Sequence, residues 1–295
     1  AGSTQDNGAQ NSDAAGFDAV HGTMQPELVV SAPYVRDLDV LAGSSVLQGG
    51  DLIRDIRGQV GDTLLAMPGV SATSFSPGAS RPVLRGFQGE RVRVLTDGLG
   101  SLDASNTSAD HGVTIDPLTA ERIEVLHGPA VLLYGSQAIG GAVNVLDRRI
   151  PRAVPEQGYH VDMMGTYGSA ANERSAGGAF DLAVTPTIVV HADGSYRKTD
   201  NLETGGYILS PGLRAEQSAI AAEELSEGHD EAAAEAEELA NARGTLANSA
   251  TKTWTAGAGV SLINDGGSLG FSVGWYNSDY GVPERPAGGH DHGGE

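Results

Sequence analysis

The stretch Ser268-Leu269-Gly270-Phe271-Ser272-Val273-Gly274-Trp275 limits the fold more than any other. Large apolar residues take every second position, and Gly or Ser fills the positions between. A period of two belongs to an extended strand, where successive side chains point to opposite faces. The same alternation runs through Tyr159 to Gly168, Ala176 to Ala183, Thr187 to Arg197 and Thr253 to Ile263. Two architectures produce it. One is a barrel wall with one face in lipid and the other toward a polar lumen. The other is a half-buried sheet of a soluble sandwich. No run approaches 18 apolar residues, so no membrane-crossing helix is expected. Barrel strands need only about 9–11 residues and leave a weak hydropathy signal.

Ahead of these strands, residues 33–150 mix helical and extended signals. Ser44 or Ser45 is placed to cap a short turn, and Asp51 to cap Leu52 to Gln59. Thr63 to Met67 is stopped by Pro68-Gly69. Val83 to Phe87, Arg91 to Thr96, Arg122 to Leu126 and Ala142 to Leu146 read as strands, with a turn at Asp97-Gly98 and a helical turn at Ala130 to Tyr134. With 42 glycines and 5% aromatics, the chain favours turns and strands over a helical bundle.

Other segments stand apart. Residues 1–26 form a polar, aperiodic arm. Glu27-Leu28-Val29-Val30-Ser31-Ala32, set between Pro26 and Pro33, is a short extended run. It is either an ordinary edge strand or a segment that pairs with another protein's sheet. An insertion at 213–243 has nine acidic residues and no basic ones between Glu216 and Ala242. Ser210-Pro211 is placed to start it and Gly228 to interrupt it, so a helical or partly disordered acidic surface loop is expected. Residues 278–295 are rich in Gly and Pro and read as a loop within which the sequence stops.

Several function classes are excluded. A net charge of −20 repels nucleic acid and attracts cations. Without cysteine there is no disulfide framework and no Cys-type zinc site. No His-Glu-x-x-His or phosphate-cradling Gly-x-x-x-x-Gly-Lys is present, so catalysis is not expected.

Three stretches carry a resemblance. They are Arg81-Pro82-Val83-Leu84-Arg85-Gly86-Phe87 with Arg91 to Gly98; Asp116-Pro117-Leu118-Thr119-Ala120-Glu121-Arg122-Ile123-Glu124-Val125-Leu126-His127-Gly128-Pro129; and Leu132 to Val145, which contains Tyr134-Gly135-Ser136 and Gly140-Gly141-Ala142-Val143-Asn144. Together they resemble the plug domain of TonB-dependent outer-membrane receptors over about residues 27–150. The resemblance implies an α+β plug domain at 33–150, then the first antiparallel strands of a transmembrane β-barrel at 151–295. About five strands of roughly 22 are present, so the sequence reads as the front part of a receptor. It also implies that Glu27 to Ala32 is the TonB box, which pairs with TonB in the periplasm and lets a pulled strand open the plug. The protein is then expected in the outer-membrane lipid of a Gram-negative cell. Arg81, Arg85, Glu121, Arg122 and Glu124 resemble the charges that dock plug to barrel wall. Ordinary surface salt bridges are the alternative role.

For the cargo, Asp110-His111 offers a carboxylate and an imidazole, donors suited to a divalent metal. Ser108-Ala109-Asp110-His111 followed by Asp116-Pro117-Leu118 resembles the zinc-receptor branch of the family. That branch implies Zn²⁺ as transported ligand and no prosthetic group. His290, Asp291, His292 and Glu295 add metal-binding side chains, since positions two apart in an extended loop share a side. A solvated loop tip is the plain alternative. A siderophore or cobalamin receptor remains open within the family, and a secreted β-rich adhesin outside it.

Overall fold

The computed structural model describes residues 44–283 apart from 74, 102–104, 106, 107, 136 and 137. The first part is an α/β unit. It comprises β1 (Ser45–Gln48), α1 (Gly49–Asp55), α2 (Val60–Thr63), β2 (Val70–Ala72), β3 (Pro82–Leu84), β4 (Val92–Thr96), β5 (Leu99–Gly100), β6 (Ala120–Leu126) and β7 (Gly141–Asp147). Five of these strands form one sheet in the order β1-β6-β7-β4-β5, with β4 and β7 parallel and the other pairs antiparallel. The six residues Gly141 to Leu146 of β7 are all buried, as befits the central strand. Leu47, Leu52, Val60, Leu64, Leu84, Val92, Ile123, Val125, Val143 and Val145 make the core.

Two expectations change here. Ser45 begins a strand paired with Arg122–Val125, because its alternative as a turn cap leaves Val46 and Leu47 without a sheet to pack on. The first helix is Gly49–Asp55, preceded by Gln48 rather than by Asp51. Asp51 instead sits in its first turn and pairs with Arg54 at 3.0 Å.

The second part is an antiparallel sheet of long strands: β8 (Tyr159–Gly168), β9 (Glu173–Ala183), β10 (Ile188–Lys198), then β13 (Thr251–Asn264) and β14 (Gly267–Tyr280). Their order is β14-β13-β10-β9-β8. Between β10 and β13 lies an excursion: β11 (Leu202–Tyr207), α3 (Pro211–Glu227), α4 (Asp230–Asn241) and β12 (Arg243–Leu246). Ser210 caps α3, its hydroxyl accepting from the Leu213 N–H, and Gly228 ends it in a left-handed conformation, so the acidic insertion is a helical hairpin. The β11–β12 pair was not foreseen. It is short, it contains Gly205-Gly206, and its register slips between Glu203 and Tyr207.

The register divides the long-stranded sheet into two faces. Cross-strand rows such as Tyr159–Leu182–Val190–Val260–Phe271 and Val161–Phe180–Ala192–Ala258–Val273 form an apolar outer face. Its side chains stand in the open: Met163 is 86% exposed and Leu269 76%. At the end bearing the helical hairpin the face turns polar at Arg174, Lys198, Lys252 and Asp279. The other face packs on the α/β unit. At Gly257 and Gly259 a Cβ would collide with Arg149, and at Gly270 with Ile150. The small residues of the alternation therefore mark where the α/β unit's backbone lies against the strands. No helix among the described residues is long and apolar enough to cross a membrane.

Candidate functional site

The loop 108–112 carries the sequence's first metal-ligating pair. The Ser108 hydroxyl donates to the Asp110 carboxylate, and His111 Nδ1 lies 2.9 Å from Asp110 Oδ1. The Ser108 hydrogen bond first, and the His111 one second, hold the Asp110 carboxyl below its ordinary range. Both side chains are about half open, His111 at 49% and Asp110 at 42%. They thus present an ionised carboxylate and an imidazole to whatever enters. Among the described residues no third Asp, Glu or His joins them to make a metal-holding group.

That loop is fastened to the far end of the chain. The Tyr280 phenol donates to the Asp110 carbonyl at 3.0 Å and accepts from the Gly112 N–H at 3.2 Å. Tyr280 ends β14, so the residues after it depart from beside Asp110 and His111. His290, Asp291, His292 and Glu295 lie outside the described residues, as do Glu27 to Ala32.

Three of the five charges assigned to docking, Arg81, Arg122 and Glu124, bond within the α/β unit. Arg122 Nε donates to Glu124 Oε1 at 3.0 Å, and Asn144 Nδ2 to Glu124 Oε2 at 3.2 Å. Glu124 is fully buried, which raises its carboxyl; Asn144 and Arg122 work against that rise. Asn144 Oδ1 also accepts from the Gly98 N–H at 2.8 Å, so the trio ties β6 and β7 to the turn after β4. Arg81 is buried and reaches the Gly89 carbonyl at 3.5 Å. Arg85 is exposed in a turn with φ +50°. Glu121 lies 3.9 Å from Arg148.

Other side chains join the two parts. Arg149 forks onto Asp193 of β10, Nε to Oδ1 at 2.8 Å and Nη2 to Oδ2 at 3.2 Å, and its Nη1 reaches Asp147 at 3.3 Å. Burial works against the Arg149 guanidinium, yet Asp193 and Asp147 raise it, so it stays charged. His191 stands between Asp181 (2.6 Å) and Asp193 (3.3 Å). Asp116 caps its own 3₁₀ turn through the Leu118 N–H at 3.0 Å and accepts from the Ser195 hydroxyl of β10. Ser195 in turn meets Thr255 of β13 at 2.7 Å. Arg148 bonds Asp162 of β8. A cleft of about 180 Å³ between the parts is lined by Leu52, Leu118, Arg148, Met164, His191 and Asp193. Sequence reasoning missed these residues. The signal was present: Asp181, His191, Asp193 and Arg197 interrupt the small-residue face of strands whose other face is apolar.

One more arrangement lies at the base of the hairpin. The guanidinium carbons of Arg214 and Arg243 stand 3.3 Å and 3.6 Å from the centroid of the Tyr207 ring.

Comparison with known proteins follows the same division. Residues 36–142 match the family model described as the TonB-dependent receptor plug domain. The rhizobactin receptor of Rhizobium meliloti (strain 1021) is 30% identical over 158 residues, covering 49% of this chain and 20% of its own. Among solved structures, a double mutant of the ferric enterobactin receptor from Pseudomonas aeruginosa superposes with a TM-score of 0.57 at 18% identity, over 85% of this chain and 35% of its own. The copper transporter OprC superposes with a TM-score of 0.55 at 18% identity, over 82% and 31%. The chain thus spans a fifth of the curated relative and about a third of the solved structures.

Proposed function

We propose that this chain, whose residues 36–142 form a TonB-dependent receptor plug domain, is the plug and first wall strands of an outer-membrane receptor that takes up a metal-containing cargo. The observation that carries this is the placement of the plug. It covers the small-residue face of the long strands through Arg149–Asp193 and Asp116–Ser195, while the opposite face shows a continuous apolar surface. An exposed apolar surface of that extent calls for a partner, and lipid fits one that turns polar at its rim. Glu27 to Ala32 is the segment proposed to meet TonB by strand addition, as the sequence led us to expect.

For the cargo, the reading that the plug loop favours is zinc. Asp110 and His111 are exposed, hydrogen-bonded to one another, and held by Tyr280 beside the start of the segment that contains His290, Asp291, His292 and Glu295. Replacing Asp110 and His111 together by Ala is expected to weaken Zn²⁺ binding at least about tenfold, the ~1.4 kcal/mol of one good ligand contact. An unchanged calorimetric titration removes the zinc reading.

A second reading is a ferric siderophore. It draws on the rhizobactin and ferric enterobactin receptors among the relatives. The two arginines flanking Tyr207 support it, because they offer cationic charge on an otherwise acidic chain. A titration with a ferric siderophore, run beside the zinc one, separates the two readings. A siderophore receptor keeps ferric-siderophore binding after the Asp110 and His111 replacements and loses it when Arg214 and Arg243 become Ala.

A further inference from the structure

The helical hairpin holds a cluster that neither cargo reading uses. α3 ends where Gly228 turns left-handed (φ +83°). The Gly228 N–H bonds the Leu225 carbonyl at 3.3 Å and the His229 N–H bonds the Glu224 carbonyl at 2.9 Å. This reversal lets α4 begin at once, with the His229 carbonyl accepting from the Ala233 N–H at 3.0 Å. It also brings the imidazole back onto the last turn of α3. His229 Nδ1 is 2.8 Å from Glu224 Oε2 and 3.7 Å from Glu227 Oε2. All three donor atoms lie within 4.8 Å of one another.

Two carboxylates converge on the same nitrogen. Two glutamates brought together, one of them buried, draw positive charge between them, from an imidazolium or from a metal ion. A burial of that kind costs free energy that a shared cation returns. Nitrogen and oxygen donors sit 2.0–2.2 Å from a zinc ion, so donors around one such ion are roughly 3–4 Å apart. The observed separations need only small side-chain adjustments to reach that spacing. An imidazole with two carboxylates selects zinc, cobalt or nickel over calcium and magnesium, which prefer all-oxygen shells.

We propose that His229, Glu224 and Glu227 hold one divalent transition-metal ion at the turn between α3 and α4, with water completing the coordination. The backbone supplies the preorganisation, because the Gly228 reversal sets the ring against α3 before any ion arrives. The ion binds in place of the proton that Nδ1 carries in the hydrogen-bonded form. This site is separate from Asp110 and His111 and does not depend on which cargo is taken up.

The test is a Zn²⁺ titration of the full chain by calorimetry in four forms: unaltered, Asp110→Ala with His111→Ala, His229→Ala, and Glu224→Gln. One zinc equivalent is expected to survive the Asp110 and His111 replacements. Its dissociation constant is expected to rise at least about tenfold in His229→Ala and in Glu224→Gln. Unchanged far-UV circular dichroism of the His229 variant shows that the helices persist. Zinc is expected to slow amide exchange at Gly228 and His229 in the unaltered chain and to leave it alone in His229→Ala. Identical isotherms for the unaltered and His229→Ala chains overturn the proposal, as does loss of all zinc binding when only Asp110 and His111 are replaced. If the Asp110 and His111 replacements change nothing while His229→Ala abolishes binding, the plug-loop reading fails and the hairpin site stands.

Discussion

Asp97 shows how a single side chain in the plug makes its stability depend on pH. It occupies a left-handed turn position (φ +50°) after β4, with Asp147 close by and Arg152 3.8 Å away. Burial first, and the Asp147 charge second, push its carboxyl up to about 6. An ordinary Asp titrates near 3.9. The folded plug therefore holds a proton there that the unfolded chain releases, and the stabilisation is complete below about pH 4. It is lost as pH rises toward about 6. Asp97→Asn mimics the protonated form and also tolerates the left-handed backbone. Because Asp97 is about one-third exposed, solvent screening cuts the expected effect to about 1–2 kcal/mol. Thermal denaturation at pH 4 and pH 7 should show the unaltered chain losing that much relative to the variant across the interval. Parallel curves at both pH values contradict the assignment. At this scale the sequence was legible only in part. Asp110 and His111 share an exposed loop and a hydrogen bond, but Arg122 and Glu124 pair with each other across two positions of one strand. Their spacing permits that pairing, and only the fold shows that they face inward.

At the scale of elements, legibility followed the length of the pattern. The long strands β8, β9, β10, β13 and β14 fall within a few residues of their alternation, because ten or more residues of period two admit no other local structure. β1 and the β11–β12 pair did not show, since four to six residues carry no readable period. The alternation also held more than it first implied. Its small-residue face looked like a polar lumen and is in fact the seat of the plug. Gly259→Val places side-chain atoms where the Arg149 backbone lies, whereas Gly165→Val points outward and meets only ordinary contacts. The first is expected to cost more than about 3 kcal/mol, or to part the plug from the strands; the second is expected to be tolerated. Limited proteolysis across residues 148–158 reads the difference, and equal resistance in both variants argues against the packing described.

For the whole molecule, the order of parts along the chain is also an order of mechanical connection. β1 is a four-residue edge strand held by β6 alone, and it is the first described strand after the N-terminal arm. A load applied to that arm meets the β1–β6 ladder before it meets Arg149, Asp116 or Tyr280, which fix the plug to the strands. The weak attachment and the strong ones are thus in series, with the weak one nearest the pull. Val30→Pro in the segment proposed for TonB removes a backbone donor from strand addition. It is expected to abolish capture by the periplasmic domain of TonB, and undiminished capture refutes that role. Each residue freed from β1 lengthens the tether by at most about 3.6 Å, so a plug drawn by its N-terminus pays out line at one edge while Arg149, Asp116 and Tyr280 keep it moored to the wall.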